Sequence, residues 1–285
     1  MKVLVTGYQG QLGYDVVRLL ENRGIDCRGV DIEDFDLTDR QAVMSFVMAY
    51  QPDAIIHCAA FTAVDKAEDL RELCFAINVT GTEHMALAAA KVGACLMYIS
   101  TDYVFKGDGE HYFEVDEERE PQNYYGLTKS LGEDVVRRLL PDSHFIVRIS
   151  WVFGLNGKSN FIKTMLRLGK EREEISVVSD QVGSPTYTFD LARLLCDMIV
   201  TDRFGTYHAT NEGECSWYDI ASAIIQMAEL KARIKPITTD QYPTRASRPR
   251  NSRLSKASLD LAGFQRLPDW QDALARYLAD LPVNQ

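Results

Sequence analysis

The sequence predicts an α/β protein built on a doubly wound parallel sheet, with a smaller C-terminal domain beyond it. Three observations predict this class. The apolar run Met1-Lys2-Val3-Leu4-Val5-Thr6 passes directly into Gly7, Gly10 and Gly13, short apolar runs then alternate with helical periods as far as residue 150, and the pattern loosens after Trp151. Strands that are apolar throughout belong in parallel sheets covered by helices on both faces, because neither face meets water. With 285 residues and 46% hydrophobic content the chain can bury a full core, and its length suits one large α/β unit with a smaller one appended.

The first strand ends in the spacing G-x-x-G-x-x-G. A strand that turns sharply into a helix needs glycine where φ is positive and where backbone approaches phosphate, while the N–H groups of the helix N-terminus face the anion. Gly10-Gln11-Leu12-Gly13 is therefore the expected cradle for a dinucleotide pyrophosphate, and the chain is expected to carry a nicotinamide cofactor on a Rossmann-type fold. A tight turn in any α/β protein is the alternative. Leu12, Val16, Leu19 and Leu20 recur on one helical face, and Gly24 provides a stop after Asn22-Arg23.

Residues 26–30 read as the second strand, and the spacing of Thr38 and Gln41 resembles a capping box opening a helix to about Tyr50. Ala54-Ile55-Ile56-His57-Cys58 is the third strand, followed by a helix over 70–92 in which Met85, Leu87 and the alanines allow close packing. Cys95-Leu96-Met97-Tyr98-Ile99 is the fourth strand, 124–140 a helix, and Phe145-Ile146-Val147-Arg148-Ile149 the fifth strand. Later elements are a helix near 161–169, a strand over 175–179 and a helix over 188–200. The expected domains are a dinucleotide-binding Rossmann domain over 1–150, completed by 175–205, and a substrate-binding domain over 151–174 and 206–285.

The net charge of −10 argues against nucleic acid or an anionic membrane as partner, while leaving room for a local basic site. Arg245, Arg248, Arg250, Arg253 and Lys256 suit a pyrophosphate, because guanidinium forks pair with phosphate oxygens; a solvated charged loop is the alternative. The N-terminus runs straight into a strand pattern without the charged and apolar regions of a leader, and no apolar run reaches the roughly 18 residues of a membrane span. A cytoplasmic location is expected. The six cysteines, Cys27, Cys58, Cys74, Cys95, Cys196 and Cys215, lack the close pairs of a zinc or redox motif and are expected as reduced thiols.

Chemistry should lie at the carboxyl ends of the strands. Asp31 ends the second strand, where a carboxylate accepts hydrogen bonds from ribose hydroxyls; this favours NAD, while Arg28 nearby could offset a 2′-phosphate and keeps NADP open. Tyr125 and Lys129 stand one turn apart on a helix, so both side chains share a face. A tyrosine so placed can act as general acid, its pKa drawn down towards 7 by the ammonium and a cationic nicotinamide. Thr101, in Ser100-Thr101-Asp102-Tyr103 after the fourth strand, could donate to a substrate carbonyl; strand-end turn chemistry is the alternative for Thr101 and Asp102.

Val5-Thr6-Gly7-Tyr8-Gln9-Gly10-Gln11-Leu12-Gly13, Ala59-Ala60-Phe61-Thr62-Ala63-Val64-Asp65, Ile77-Asn78-Val79-Thr80-Gly81-Thr82, Ser100-Thr101-Asp102-Tyr103-Val104-Phe105, Tyr125-Gly126-Leu127-Thr128-Lys129 and Arg148-Ile149-Ser150-Trp151 together resemble the extended short-chain dehydrogenase/reductases. Gln181-Val182-Gly183-Ser184-Pro185-Thr186 and Arg248-Pro249-Arg250-Asn251-Ser252 carry the resemblance into the second half. It implies a cofactor held by Gly7, Gly10, Gln11, Leu12 and Gly13, with Asp36 and Leu37 flanking adenine and Ala59, Ala60 and Thr62 lining the cleft. Thr101, Tyr125 and Lys129 would be catalytic, with Tyr125 and Lys129 also on the cofactor. Thr101, Asp102, Tyr103 and Trp151 would contact a sugar, and Asn160 and Arg248 its nucleotide.

Asp102-Tyr103-Val104-Phe105 looks like the branch that reduces nucleotide sugars. The resemblance thus implies NAD(P)H-dependent reduction of the 4-keto group of dTDP-4-dehydro-6-deoxy-L-mannose to dTDP-L-rhamnose, with a dTDP-sugar as partner and a homodimer as assembly. Some such reductases pair through a metal held by glutamates; the matching positions here carry Asp15 and Asp280, with Phe189-Asp190 between, and no metal ligand is assigned. An epimerase or dehydratase of the same family, or a non-catalytic cofactor-binding regulatory subunit, are the alternatives.

Overall fold

The computed structural model describes residues 1–157 and 159–281. The first half runs β1 (Lys2–Thr6), α1 (Gln11–Asn22), β2 (Asp26–Val30), α2 (Arg40–Tyr50), β3 (Ala54–His57), α3 (Val64–Asp69), α4 (Arg71–Phe75), α5 (Thr82–Val92), β4 (Cys95–Thr101), α6 (Tyr124–Leu139) and β5 (His144–Ile149). The second runs β6 (Val152–Phe153), α7 (Phe161–Glu171), β7 (Glu174–Val178), β8 (Val182–Gly183), β9 (Thr186–Tyr187), α8 (Thr188–Met198), β10 (Gly205–His208), β11 (Cys215–Ser216), α9 (Trp217–Met227), β12 (Arg233–Ile237), β13 (Asn251–Ser252), α10 (Ala257–Leu261) and α11 (Trp270–Asp280).

Six strands form one parallel sheet in the order β10-β5-β4-β3-β1-β2. Because successive side chains leave a strand on opposite faces, Val3 and Val5 share one cluster with Leu12, Val16 and Leu20 of α1 and Leu191 and Leu195 of α8, while Leu4 shares another with Val43 and Val47 of α2, Met85 of α5 and Val136 of α6. Each such side chain, fully buried, contributes about 1.5–3 kcal/mol. This is the Rossmann-type doubly wound sheet that the apolar strands predicted. A second cluster, with Phe153, Ile162, Ile175, Tyr187, Ile224, Trp270 and Leu274, forms the core of the smaller unit.

Three expectations are corrected. The cap of α2 is Asp39, whose Oδ1 accepts from the N–H groups of Gln41 at 2.9 Å and Ala42 at 3.1 Å, while the Thr38 hydroxyl turns back to Asp36 at 2.8 Å. A carboxylate at the positive end of a helix dipole outcompetes a hydroxyl one residue earlier. The helix expected over 70–92 is interrupted by a π-helical turn at Ala76–Gly81. There the Asn78 side chain bonds the Phe61 backbone, its Oδ1 accepting from Phe61 N at 2.8 Å and its Nδ2 donating to Phe61 O at 3.1 Å.

Finally, the strand expected over 175–179 is β7, and it pairs with β12 outside the main sheet. Glu174 to Val177 alternate exposed and buried, the signature of a strand with one wet face, which the interior of a doubly covered sheet excludes. The sixth strand of the main sheet is β10, on the far side of α8. No described helix is long and apolar enough to cross a membrane.

Candidate active site

β1 lies between β2 and β3, the point where the strand order reverses and where α/β sheets open a crevice at their carboxyl ends. A cavity of about 660 Å³ occupies it. It is lined by Gly7, Gly10, Gln11, Leu12 and Gly13, by Asp31, Asp36, Leu37, Ala59, Ala60 and Thr62, and by Thr101, Asp102, Tyr103, Tyr125, Lys129 and Trp151. Ile32 and Phe35 add apolar wall that the sequence reading did not single out.

The turn after β1 fits a dinucleotide. Gly7 has φ +69°, and a Cβ there would lie 2.8 Å from Ala59 Cα. Gly10, the N-cap of α1, offers no side chain to the helix, so no side-chain cap covers the first N–H groups of a 12-residue helix. A loop of the smaller unit lies over this turn: Gln11 Oε1 accepts from Gly154 N at 2.9 Å and Asn160 Nδ2 at 3.0 Å, and Asn156 Nδ2 donates to Gln9 O at 2.8 Å. Asn160 therefore does not face the large cavity. It lines a neighbouring hollow of about 250 Å³, beside Trp151 and Trp217, whose rings stack at 3.9 Å.

Asp31 accepts from the N–H groups of Gln9 at 3.1 Å and Ile32 at 3.0 Å. Arg28, the expected counter-charge for a 2′-phosphate, is committed elsewhere: it reaches Asp34 at 3.3 Å and lies over the Phe46 ring at 4.7 Å.

At the reacting end, Thr101 Oγ1 accepts from Tyr103 N at 3.2 Å and donates to Asp102 Oδ1 at 3.0 Å. Asn123 caps α6 through Gly126 N at 2.8 Å, which fixes the turn bearing Tyr125, whose ring lies 5.7 Å from that of Tyr103. Gly126 allows this approach: a Cβ there would sit 2.2 Å from Tyr103 O. Asn78 ties the same helix to the cleft wall by donating to Thr128 Oγ1 at 3.0 Å. Burial, reinforced by Asp102, pushes the Tyr125 phenol above its ordinary value.

Lys129, the neighbouring ammonium, is itself pushed down to about 7 by burial. Its Nζ lies 4.0 Å over the Tyr98 ring. A phenol that keeps its proton at neutral pH can act as a donor. Asp102 is pushed up to about 6 by burial, against the hydrogen bonds from Ser252 and Thr101. His57 is held down at about 3 by burial and by Lys129, and its Nδ1 is 2.7 Å from Thr6 Oγ1.

The basic segment is not a free anion site. Arg245 pairs with Asp69 at 3.0 Å, Arg248 with Asp65 at 2.5 Å, Arg250 with Asp240 at 3.1 Å, and Arg253 with Glu214. One atom stands out, since Arg248 Nη1 is buried and has no hydrogen-bond partner among the described residues. Of the positions matched to a metal bridge, Asp190 is held by Arg276 at 2.8 and 2.7 Å, and Asp15 accepts from Thr188 Oγ1 at 2.5 Å. All six cysteines are free.

A six-stranded parallel sheet, a glycine turn at its switch point and a Tyr125–Lys129 helix beside Thr101 define an extended short-chain dehydrogenase/reductase. The family described as the RmlD substrate binding domain matches residues 1–283. The chain is 40% identical to the spore coat polysaccharide biosynthesis protein SpsK of Bacillus subtilis, over 98% of this chain and 97% of that one. It is 39% identical to a dTDP-4-dehydrorhamnose reductase of Streptomyces griseus, over 95% and 91% of the two chains. A crystal structure of the dTDP-4-dehydrorhamnose reductase of Bacillus anthracis in complex with NADP superposes with a TM-score of 0.95 at 42% identity, covering 98% and 100% of the chains. The chain belongs to the dTDP-4-dehydrorhamnose reductase family.

Proposed function

We propose that the protein reduces the 4-keto group of dTDP-4-dehydro-6-deoxy-L-mannose to give dTDP-L-rhamnose, with NADPH or NADH. The observation that carries the reading is one cavity joining the glycine turn to Thr101, Tyr125 and Lys129. Reduced nicotinamide, when bound, supplies the hydride for the sugar carbonyl carbon. Gly7, Gly10, Gln11, Leu12 and Gly13 hold the pyrophosphate, Asp31 takes ribose hydroxyls, and Asp36 and Leu37 flank adenine.

Ala59, Ala60 and Thr62 wall the cleft. Tyr125 donates its phenolic proton to the carbonyl oxygen as that oxygen gains charge. Thr101 hydrogen-bonds the same oxygen, and Lys129 binds ribose and supports the phenolate left behind. Asp102, Tyr103 and Trp151 contact the sugar, with Asn160 and Arg248 towards the nucleotide; the unpaired Arg248 Nη1 supports an anionic group there. The units over 1–150 and beyond divide cofactor from substrate binding, apart from the strand exchange described above. A homodimer in the cytoplasm belongs to the same reading.

The test mixes purified protein with enzymatically generated dTDP-4-keto-6-deoxy sugar, with and without the epimerase that makes the L-configured substrate, and follows NADPH or NADH absorbance. One-to-one oxidation that requires the epimerase is the expected result. Oxidation without it points to the D-configured keto sugar, and no oxidation despite cofactor binding overturns the reductase reading.

A further inference from the structure

Asp102 holds two hydroxyls at once. Its Oδ1 accepts from Thr101 Oγ1 at 3.0 Å and its Oδ2 from Ser252 Oγ at 2.5 Å, and all three residues are buried. Ser252 comes from 150 positions further along the chain. β13 seats it by pairing Ser252 with Gly183 and Asn251 with Val182, and Asn251 Nδ2 anchors the strand to His111 O at 2.8 Å. At Gly183 a Cβ would lie 2.8 Å from Ser252 Cβ and 3.2 Å from the Trp151 ring, so the serine is packed against the sugar-side wall.

We propose that Ser252 is a positioning residue for the reduction, holding the Asp102 carboxylate so that it fixes the direction of the Thr101 hydroxyl. Thr101 Oγ1 accepts from Tyr103 N and rests its single proton on Asp102 Oδ1, from which that proton turns to the sugar carbonyl oxygen when substrate binds. The clasp makes the catalytic end of β4 depend on the seating of the smaller unit. The titratable groups facing Asp102 are Tyr103 on its own turn and Tyr125 on α6, with Arg248 beyond Tyr103. The carboxylate form is the one that can accept from both hydroxyls.

The inference rests on the reductase reading, and the test separates the two. In the keto-sugar assay, Ser252→Ala lowers kcat by about tenfold to a hundredfold with cofactor KM unchanged. The acid limb of its kcat profile moves up by about one pH unit, because a hydrogen bond stabilising the carboxylate is gone, and Ser252→Thr restores both. Wild-type kcat and pH profile in Ser252→Ala overturn the proposal. Hydrogen exchange needs no substrate: Ser252→Ala speeds exchange at the Tyr103 amide and Ser252→Thr does not. Unchanged exchange overturns the clasp even if wild type turns over no keto sugar; faster exchange in Ser252→Ala, with a wild type that shows no turnover, supports the clasp and removes only the reductase reading.

Discussion

Lys129 shows how far burial reshapes a side chain whose role the sequence suggested from spacing alone. Its ammonium ordinarily titrates at 10.5 and is held at about 7. Between those values the unfolded chain binds a proton that the native state does not, so stability rises with pH across that window and falls to its low plateau below about 7. Replacing Lys129 with Met removes a strained charge, so the variant's Tm at pH 7 is expected above wild type, with the two converging towards pH 10.5. Thermal melts across pH check this, and a variant Tm below wild type at pH 7 would contradict it. The spacing of Tyr125 and Lys129 was legible because one helical turn fixes it. Ser252, Asn78 and the carboxylates that neutralise the arginines were not, because each depends on a partner from a separate element.

At the scale of elements, α6 is held to the sheet by a buried charge as well as by apolar packing. Glu133, one turn beyond Lys129, accepts from Arg148 Nε and Nη2 at 2.8 Å each and from Ser100 Oγ at 2.6 Å. Despite burial, these partners hold its carboxyl down at about 2. Glu133→Gln leaves Arg148, 1% exposed, without its counter-charge, and is expected to cost about 3–5 kcal/mol at pH 7 by urea unfolding. Because the folded pKa is depressed from 4.5, this stability is full above that value and is lost as pH falls through about 2, so the gap to wild type narrows in acid. Equal stability at pH 7 would show that the pair contributes nothing net. Helix and strand types followed from periodicity, but the π-helical turn at Ala76–Gly81 did not, since nothing in a run of helix-compatible residues announces that Asn78 will bond Phe61.

The core on one face of the main sheet is interleaved along the chain. α8 packs beside α1 on one face of the main sheet, β10 completes that sheet, and Leu259, Phe264 and Leu267 from near the C-terminus join the same cluster as Val3 and Val5. Unfolding the C-terminal third therefore exposes the face of the cofactor sheet, and calorimetry is expected to give one cooperative transition. Leu259→Ala should lower that single transition by about 2–5 kcal/mol; two separated transitions, with only the smaller one moved, would show independent domains.

The sequence by itself determined the doubly wound sheet, the glycine turn at its switch point and the placing of Thr101, Tyr125 and Lys129 at strand and helix ends. These follow from local chemistry: apolar strands need two covers, a sharp strand-to-helix turn needs glycine, and helical spacing sets which side chains share a face. Tertiary structure alone decided the protonation of that site and the seating of its neighbours. Burial raised Tyr125 and lowered Lys129, carboxylates of α3 took Arg245 and Arg248, and Ser252 came to rest against Asp102. Desolvation and ion pairing depend on what the rest of the chain brings to a residue, which no spacing along the sequence specifies.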